Sequence, residues 1–365
     1  MENSYAQYVD YSFADNAFAG ASTVNTPTAA SAYAEGIDGR EGRFVHRNFR
    51  FESGEILAEL KTAYVTHGTL NAKKDNIVLL LPGTANTRHS SDGYIGPGKA
   101  FDTEKFFVIA VDAIGGGDSS KPADGLGNAF PSYTIRDMVA AQKELLDNKF
   151  GLGQVSLAAV AGASMGAFQA LEWSIAHPDL VLREVLMVPA ARASNALKLA
   201  TQQMFEVIAM DPLWREGAYT NPPLKGLRRA GRQYYAWTVT DPHIESLTAE
   251  ALEEQLQASG ERYCKWDAWS LLRRYRASSI HDVGQGFSGG IAEALGRVRA
   301  RTLVLPTSSD RLLPPSGARV IAEHIRDAQY LEIPSSLGHF GWRPIAGSAE
   351  EEAFTHAIRE FFSST

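Results

Sequence analysis

Gly162-Ala163-Ser164-Met165-Gly166 is the part of this sequence best equipped for covalent chemistry. It follows the pattern G-x-S-x-G, in which small residues flank a serine so that the chain can turn sharply from a strand into a helix without side-chain clashes. Such a turn lifts the hydroxyl above the strand ends and aims backbone N–H groups at a developing oxyanion. An apolar run over 155–161 precedes it and a helical pattern from Met165 to about Ala176 follows, so Ser164 is expected to be a nucleophile. A serine also needs a base to take its proton and an acid to orient that base, and behind such an elbow they come in the order serine, acid, histidine. Of nine histidines, His339 lies in a loop after a late strand pattern, within Ser335-Ser336-Leu337-Gly338-His339-Phe340-Gly341. His177 at a helix end, His281 in a helical stretch and His356 within the terminal helix are expected to be structural. Asp310, in Ser308-Ser309-Asp310-Arg311, follows a strand pattern and precedes His339. Asp112 also ends a strand, but it comes before Ser164 and so has the wrong order.

These groups must be held by a scaffold, and from Phe44 onward short apolar runs alternate with helical patterns. That alternation predicts an α/β fold with a mostly parallel sheet flanked by helices. Strands are expected over 76–81, closed by Pro82-Gly83, and over 106–111, closed by Asp112 and Gly115-Gly116-Gly117. Thr134 and Asp137 have capping-box spacing ahead of a helix whose Met138, Ala141, Leu145 and Leu146 share one face, and Gly151 ends it. Further strands are expected over 185–188, 302–305 and 330–333, with Phe354, Ile358 and Phe361 at helical spacing at the end. Between them, 191–295 reads as helices rich in Trp, Tyr, Met and Arg, an inserted lid whose aromatics are expected to serve mostly as core or interface, with a few walling the pocket over Ser164. The expected division is an N-terminal arm over 1–42, core over 43–190 and 296–365, and the lid over 191–295.

The 35 Lys and Arg against 42 Asp and Glu give a net charge of −7, which provides no electrostatic footprint for nucleic acid or an anionic membrane. No apolar run approaches the ~18 residues of a membrane span, and the Ala/Ser/Thr-rich N-terminus lacks the pattern of a signal peptide. One cysteine, Cys264, allows no intrachain disulfide and suits a cytoplasmic setting; it is expected to be an inert buried thiol. Gly93-Tyr94-Ile95-Gly96-Pro97-Gly98-Lys99-Ala100 nearly spells a phosphate loop, but Ala100 stands where a hydroxyl would hold Mg²⁺ and Pro97 removes an N–H donor. With no zinc-protease helix and no dinucleotide turn either, no cofactor or metal is expected.

Longer segments carry a resemblance. Ile95 to Thr103, Tyr133 to Val139 with Gln142, the serine elbow with Gln169-Ala170-Leu171-Glu172-Trp173, Ser309-Asp310-Arg311 and Gly338-His339 together resemble the homoserine O-acetyltransferase family of α/β-hydrolases. The resemblance implies catalytic Ser164, Asp310 and His339, an acyl-Ser164 intermediate, and a homodimer joined through the lid. It also implies an oxyanion hole from the backbone of Thr84, just after Pro82-Gly83, and of Met165. In that family an aspartate that pairs with the substrate ammonium usually follows the histidine; here it is Phe340. The family's carboxylate-binding arginine, in Gly-Leu-x-x-Ala-Arg, is replaced by Gly231, with Arg232 one place late. A pocket without either anchor suits a small uncharged ester such as an alkyl acetate, with Phe340 as an apolar wall, and predicts a serine carboxylesterase. The other reading is an acyl-CoA-dependent O-acetyltransferase on homoserine or another small alcohol.

Overall fold

The computed structural model describes residues 39–153 and 155–364. The arm expected over 1–42 therefore lies outside the described residues except at its end, where the first strand, β1 (Arg40–Arg50), begins. It forms an antiparallel hairpin with β2 (Ile56–His67), and β2 is antiparallel to β4 (Phe107–Val111). The remaining strands are parallel: β3 (Ile77–Leu81), β4, β5 (Ala159–Ala163), β6 (Arg183–Met187), β7 (Arg301–Leu305) and β8 (Ala328–Tyr330). Their order is β1-β2-β4-β3-β5-β6-β7-β8.

Period-two alternation sends side chains to two cores. Leu79, Ile109, Val160, Leu186 and Val304 point to one face, where they meet α1 (Ile135–Phe150), α2 (Met165–Ala176) and α9 (Pro315–His324). Val78, Leu80, Val108, Ala161 and Val185 point to the other, against Phe354, Ile358 and Phe361 of α10 (Ala349–Ser363). The Thr134–Asp137 capping box forms, and Gly151 closes α1 in the left-handed conformation at φ 64°. Between β6 and β7 the chain is helical: α3 (Asn195–Ala209), α4 (Leu224–Thr238), α5 (Asp241–Glu245), α6 (Ala249–Cys264), α7 (Ala268–Ser279) and α8 (Gly290–Gly296). A third core joins these helices to the sheet end through Met165, Phe168, Met204, Leu227, Tyr234 and Leu271.

The structure departs from the sequence expectations in four places. The β1–β2 hairpin was not expected, because β1 is an edge strand with charged residues along its exposed positions and no continuous apolar run. β5 covers Ala159–Ala163 rather than 155–161: pairing with β3 starts at Val78↔Ala159 and continues into Gly162, so tertiary pairing overrides the weak strand propensity of Ala and Gly. β8 stops at Tyr330, and Ile333 makes a single bridge to Thr307. Cys264 is only partly buried, at the end of α6 with its Sγ 3.5 Å from the Leu224 carbonyl oxygen. In the loop that resembles a phosphate cradle, the Lys99 ammonium donates to the Gly93 carbonyl 2.8 Å away. No helix among the described residues is long and apolar enough to cross a membrane.

Candidate active site

Ser164 sits between β5 and α2 with φ 57° and ψ −121°, a strained conformation for a residue with a side chain. Its N–H is held by the Met187 carbonyl at 3.0 Å. The two glycines of the elbow are required by contact. A Cβ on Gly166 would lie 2.1 Å from the Leu81 carbonyl oxygen, and one on Gly162 would lie 2.4 Å from the Gly166 carbonyl carbon. Only bare backbone lets helix and strands approach so closely, and that approach places the serine hydroxyl at the carboxyl ends of the strands.

The structure brings Ser164, His339 and Asp310 together. His339 Nε2 is 3.0 Å from Ser164 Oγ, and His339 Nδ1 is 2.7 Å from Asp310 Oδ2. Asp310 Oδ1 accepts the N–H groups of Leu312 and Leu313 at 2.8 and 2.9 Å, so the carboxylate is fixed and buried. His339 lies in a 3-10 turn, Gly338–Trp342, tied to the strand-end loop by the Thr307 hydroxyl donating to the Gly338 carbonyl. Gly338 has φ 58°, and a Cβ there would stand 2.9 Å from the Thr238 carbonyl oxygen. The imidazole is thus oriented from one side and faces the serine with the other, the geometry that proton removal from a serine requires. The other candidates are elsewhere: Asp112 pairs with Arg88, and His281 stacks on Phe168 at 4.3 Å, its burial pulling it down to about 3 so that it stays neutral. Among the described residues no cluster of three or more His, Cys, Asp or Glu side chains is placed to hold a metal ion.

Met165 is the first residue of α2, so its N–H is one of the donors that a helix cannot satisfy internally. Thr84 lines the cavity at Ser164, and its hydroxyl is 2.9 Å from that of Ser278. Arg274 on α7, a residue not singled out from the sequence, organises this loop. Its fully buried guanidinium donates Nε to the Thr84 carbonyl at 2.5 Å, Nη2 to those of Gly83 and Asn86 at 2.8 and 3.2 Å, and Nη1 to that of Ala113 at 3.2 Å. With the carbonyls turned toward α7, the Thr84 N–H has no protein acceptor among the described residues. A sequence signal existed: Arg274 falls on the same helical stripe as Leu271, Tyr275 and Ser278, a charge where an amphipathic helix should be buried.

The cavity at Ser164 is narrow, about 40 Å³, an order of magnitude below the several hundred Å³ of a pocket for a drug-sized ligand. Tyr234, Tyr263, Tyr275, Phe340, Arg262 and Arg343 are among its walls. Phe340 is not the bare apolar wall expected: the Arg343 guanidinium lies over its ring, Cζ 3.4 Å from the centroid. Arg262 reaches in from α6 and donates to the Ala85 carbonyl and Asn86 Oδ1 at 2.9 and 2.8 Å. Neither arginine was anticipated, since a single basic residue on a helix or turn ordinarily marks a solvated face. Arg232, by contrast, points away and pairs with Glu253 on the surface, and Arg228 pairs with Glu261. Gly231 is packed where α4 crosses α6, with its missing Cβ 2.6 Å from the Ser259 carbonyl oxygen.

Residues 76–341 match the model of the alpha/beta hydrolase fold family. The chain is 32% identical over 355 residues to a homoserine O-acetyltransferase of Leptospira biflexa, covering 86% of this chain and 91% of the relative. Among solved structures it is similar to an acetylester hydrolase from Corynebacterium glutamicum, with a TM-score of 0.83, 28% identity and 89% and 96% of the two chains covered. It is also similar to a homoserine O-acetyltransferase from Bacillus anthracis, with a TM-score of 0.77, 26% identity and 90% and 98% covered. The elbow, the sheet order and these likenesses agree: the chain belongs to the homoserine O-acetyltransferase family of α/β-hydrolases.

Proposed function

We propose that this protein is a serine carboxylesterase that hydrolyses short-chain esters, alkyl acetates above all, through an acyl-Ser164 intermediate. His339 Nε2 takes the Ser164 proton as Oγ attacks the ester carbonyl, and Asp310 holds and stabilises the imidazolium that results. The Met165 and Thr84 N–H groups receive the negative charge that forms on the carbonyl oxygen. His339 then gives its proton to the departing alcohol. Water enters, loses a proton to the same nitrogen and releases the acid by the reverse path.

The observation that carries hydrolysis over transfer is the state of the two family anchor positions. Gly231 is filled by packing against α6, Arg232 is committed to Glu253 at the surface, and Phe340 lies beneath Arg343. A homoserine ammonium would meet no carboxylate among the described residues that line the cavity, and the lost charge-assisted bonds are worth about 1.5–3 kcal/mol each. The narrow cavity suits an acetyl group. The second reading, an acyl-CoA-dependent O-acetyltransferase on homoserine or another small alcohol, is favoured by what the sequence relatives are named. The two separate on acyl partitioning: Ser164 is loaded from an aryl acetate, and homoserine or 1-butanol is offered at equal concentration. Acetate and butyl acetate are expected. Predominant O-acetylhomoserine would overturn hydrolysis in favour of transfer.

A further inference from the structure

Two guanidiniums, Arg262 and Arg343, line the cavity at Ser164, and neither pairs with a carboxylate among the described residues. Both are partly buried; cations drawn even partly out of water without a counter-charge carry a cost, and like charges facing one cavity raise it. The neighbouring tyrosines do not compensate. Burial holds the Tyr234 and Tyr263 hydroxyls well above their usual range, so they stay neutral. Asp310 is engaged by His339 and the Leu312 and Leu313 N–H groups. The strain shows at Arg343, which burial and the nearby Arg262 pull down to about 9, still cationic at neutral pH.

The stacking of Arg343 on Phe340 bears on what it binds. A ring beneath the guanidinium plane occupies one face and leaves the in-plane N–H donors open, and these donors match a carboxylate bidentately. Its side chain has no hydrogen-bond acceptor among the described residues, whereas Arg262 spends two contacts on the loop that carries Thr84. We propose that Arg343, supported by Arg262, forms an anion subsite for an ester that carries a carboxylate and no ammonium. This rests on the esterase reading above and refines its expectation of an uncharged ester. An amine on the substrate would face two cations, with no acid among the described lining residues to receive it.

The test pairs each acid with its own methyl ester. 4-Acetoxybutanoate against methyl 4-acetoxybutanoate places the charge on the alcohol side, and mono-4-nitrophenyl succinate against its methyl ester places it on the acyl side. At least one acid is expected to exceed its methyl ester in kcat/KM by tenfold or more, and the pair that does so identifies the side. Arg343→Leu should bring that ratio to about one, and O-acetylhomoserine should be slower than 4-acetoxybutanoate. Neither acid exceeding its ester, or a preference that survives Arg343→Leu, overturns the subsite. Should that variant not fold, competitive inhibition of the wild type by butyrate and not by butyramide supports the subsite, and its absence refutes it. Ser164-dependent hydrolysis of the methyl esters without acid preference leaves the esterase reading standing while the subsite fails. If no ester is hydrolysed the esterase reading fails, and calorimetric titration with butyrate then decides the subsite by binding or its absence.

Discussion

Replacing Arg274 with methionine keeps the apolar length of the side chain and takes its donors away from the carbonyls of Gly83, Thr84, Asn86 and Ala113. The bonds to Thr84 and Gly83, at 2.5 and 2.8 Å, are the short ones and come from a charged donor, whereas those to Asn86 and Ala113, both 3.2 Å, are weak. Two buried carbonyls are therefore left without their main partner, at about 1–3 kcal/mol each. Against that loss, the variant no longer buries a charge, which recovers part of the desolvation penalty. The balance is a destabilisation of about 2 kcal/mol. The effect on turnover is more diagnostic, because the same loop presents the Thr84 N–H. Losing one oxyanion donor outright costs about 10²–10³ in kcat, so a displaced donor should cost about tenfold to a hundredfold, with KM within about threefold. Urea titration and steady-state kinetics on 4-nitrophenyl acetate read both quantities. Unchanged kcat in a folded variant would refute the positioning role of Arg274, and so would full recovery by Arg274→Lys, which restores a charge but not the fork.

Burial lifts the Glu184 carboxyl on β6 to about 7, with the Ser174 and Thr302 hydroxyls donating to it. The folded protein thus holds the neutral form more tightly than the unfolded chain does. Stability from this group is full below its ordinary value of 4.5 and is lost as the pH rises to about 7. Glu184→Gln should gain on the wild type by up to about 3 kcal/mol between pH 5 and pH 8 in paired urea titrations; an equal gap at both pH values would contradict the assignment. Leu199, Met210, Leu213 and Leu224 are large apolar side chains left exposed on α3, α4 and their connection, and we propose them as contacts of the lid-joined homodimer that the family resemblance implies. Light scattering should report a dimer for the wild type and a monomer for Met210→Asp; a monomeric wild type would exclude that assembly.

What the sequence reveals of the site follows the range of the interactions that build it. The elbow is legible because its glycines answer clashes that any strand–turn–helix of this kind creates, and Asp310 and His339 follow from chain order and loop placement. The Thr134 cap and the Gly151 terminator are local chemistry, so they too are readable. Arg274 and Thr84 meet across 190 residues of chain, and Arg262 and Arg343 come from a helix and a turn whose packing no periodicity encodes. The same limit hid the β1–β2 hairpin, where Arg40, Glu41, Arg43 and Arg47 interrupt any apolar alternation. It also shifted β5, whose extent is decided by its partner β3.

The central claim is that Ser164 carries the acyl group. Wild-type protein quenched in acid during turnover of 4-nitrophenyl acetate, digested and analysed by mass spectrometry should show one acetyl group on the peptide containing Ser164. Ser164→Ala should show none and should lose several orders of magnitude in kcat while remaining folded. Acetylation at another residue, or near-wild-type turnover by Ser164→Ala, would contradict the account.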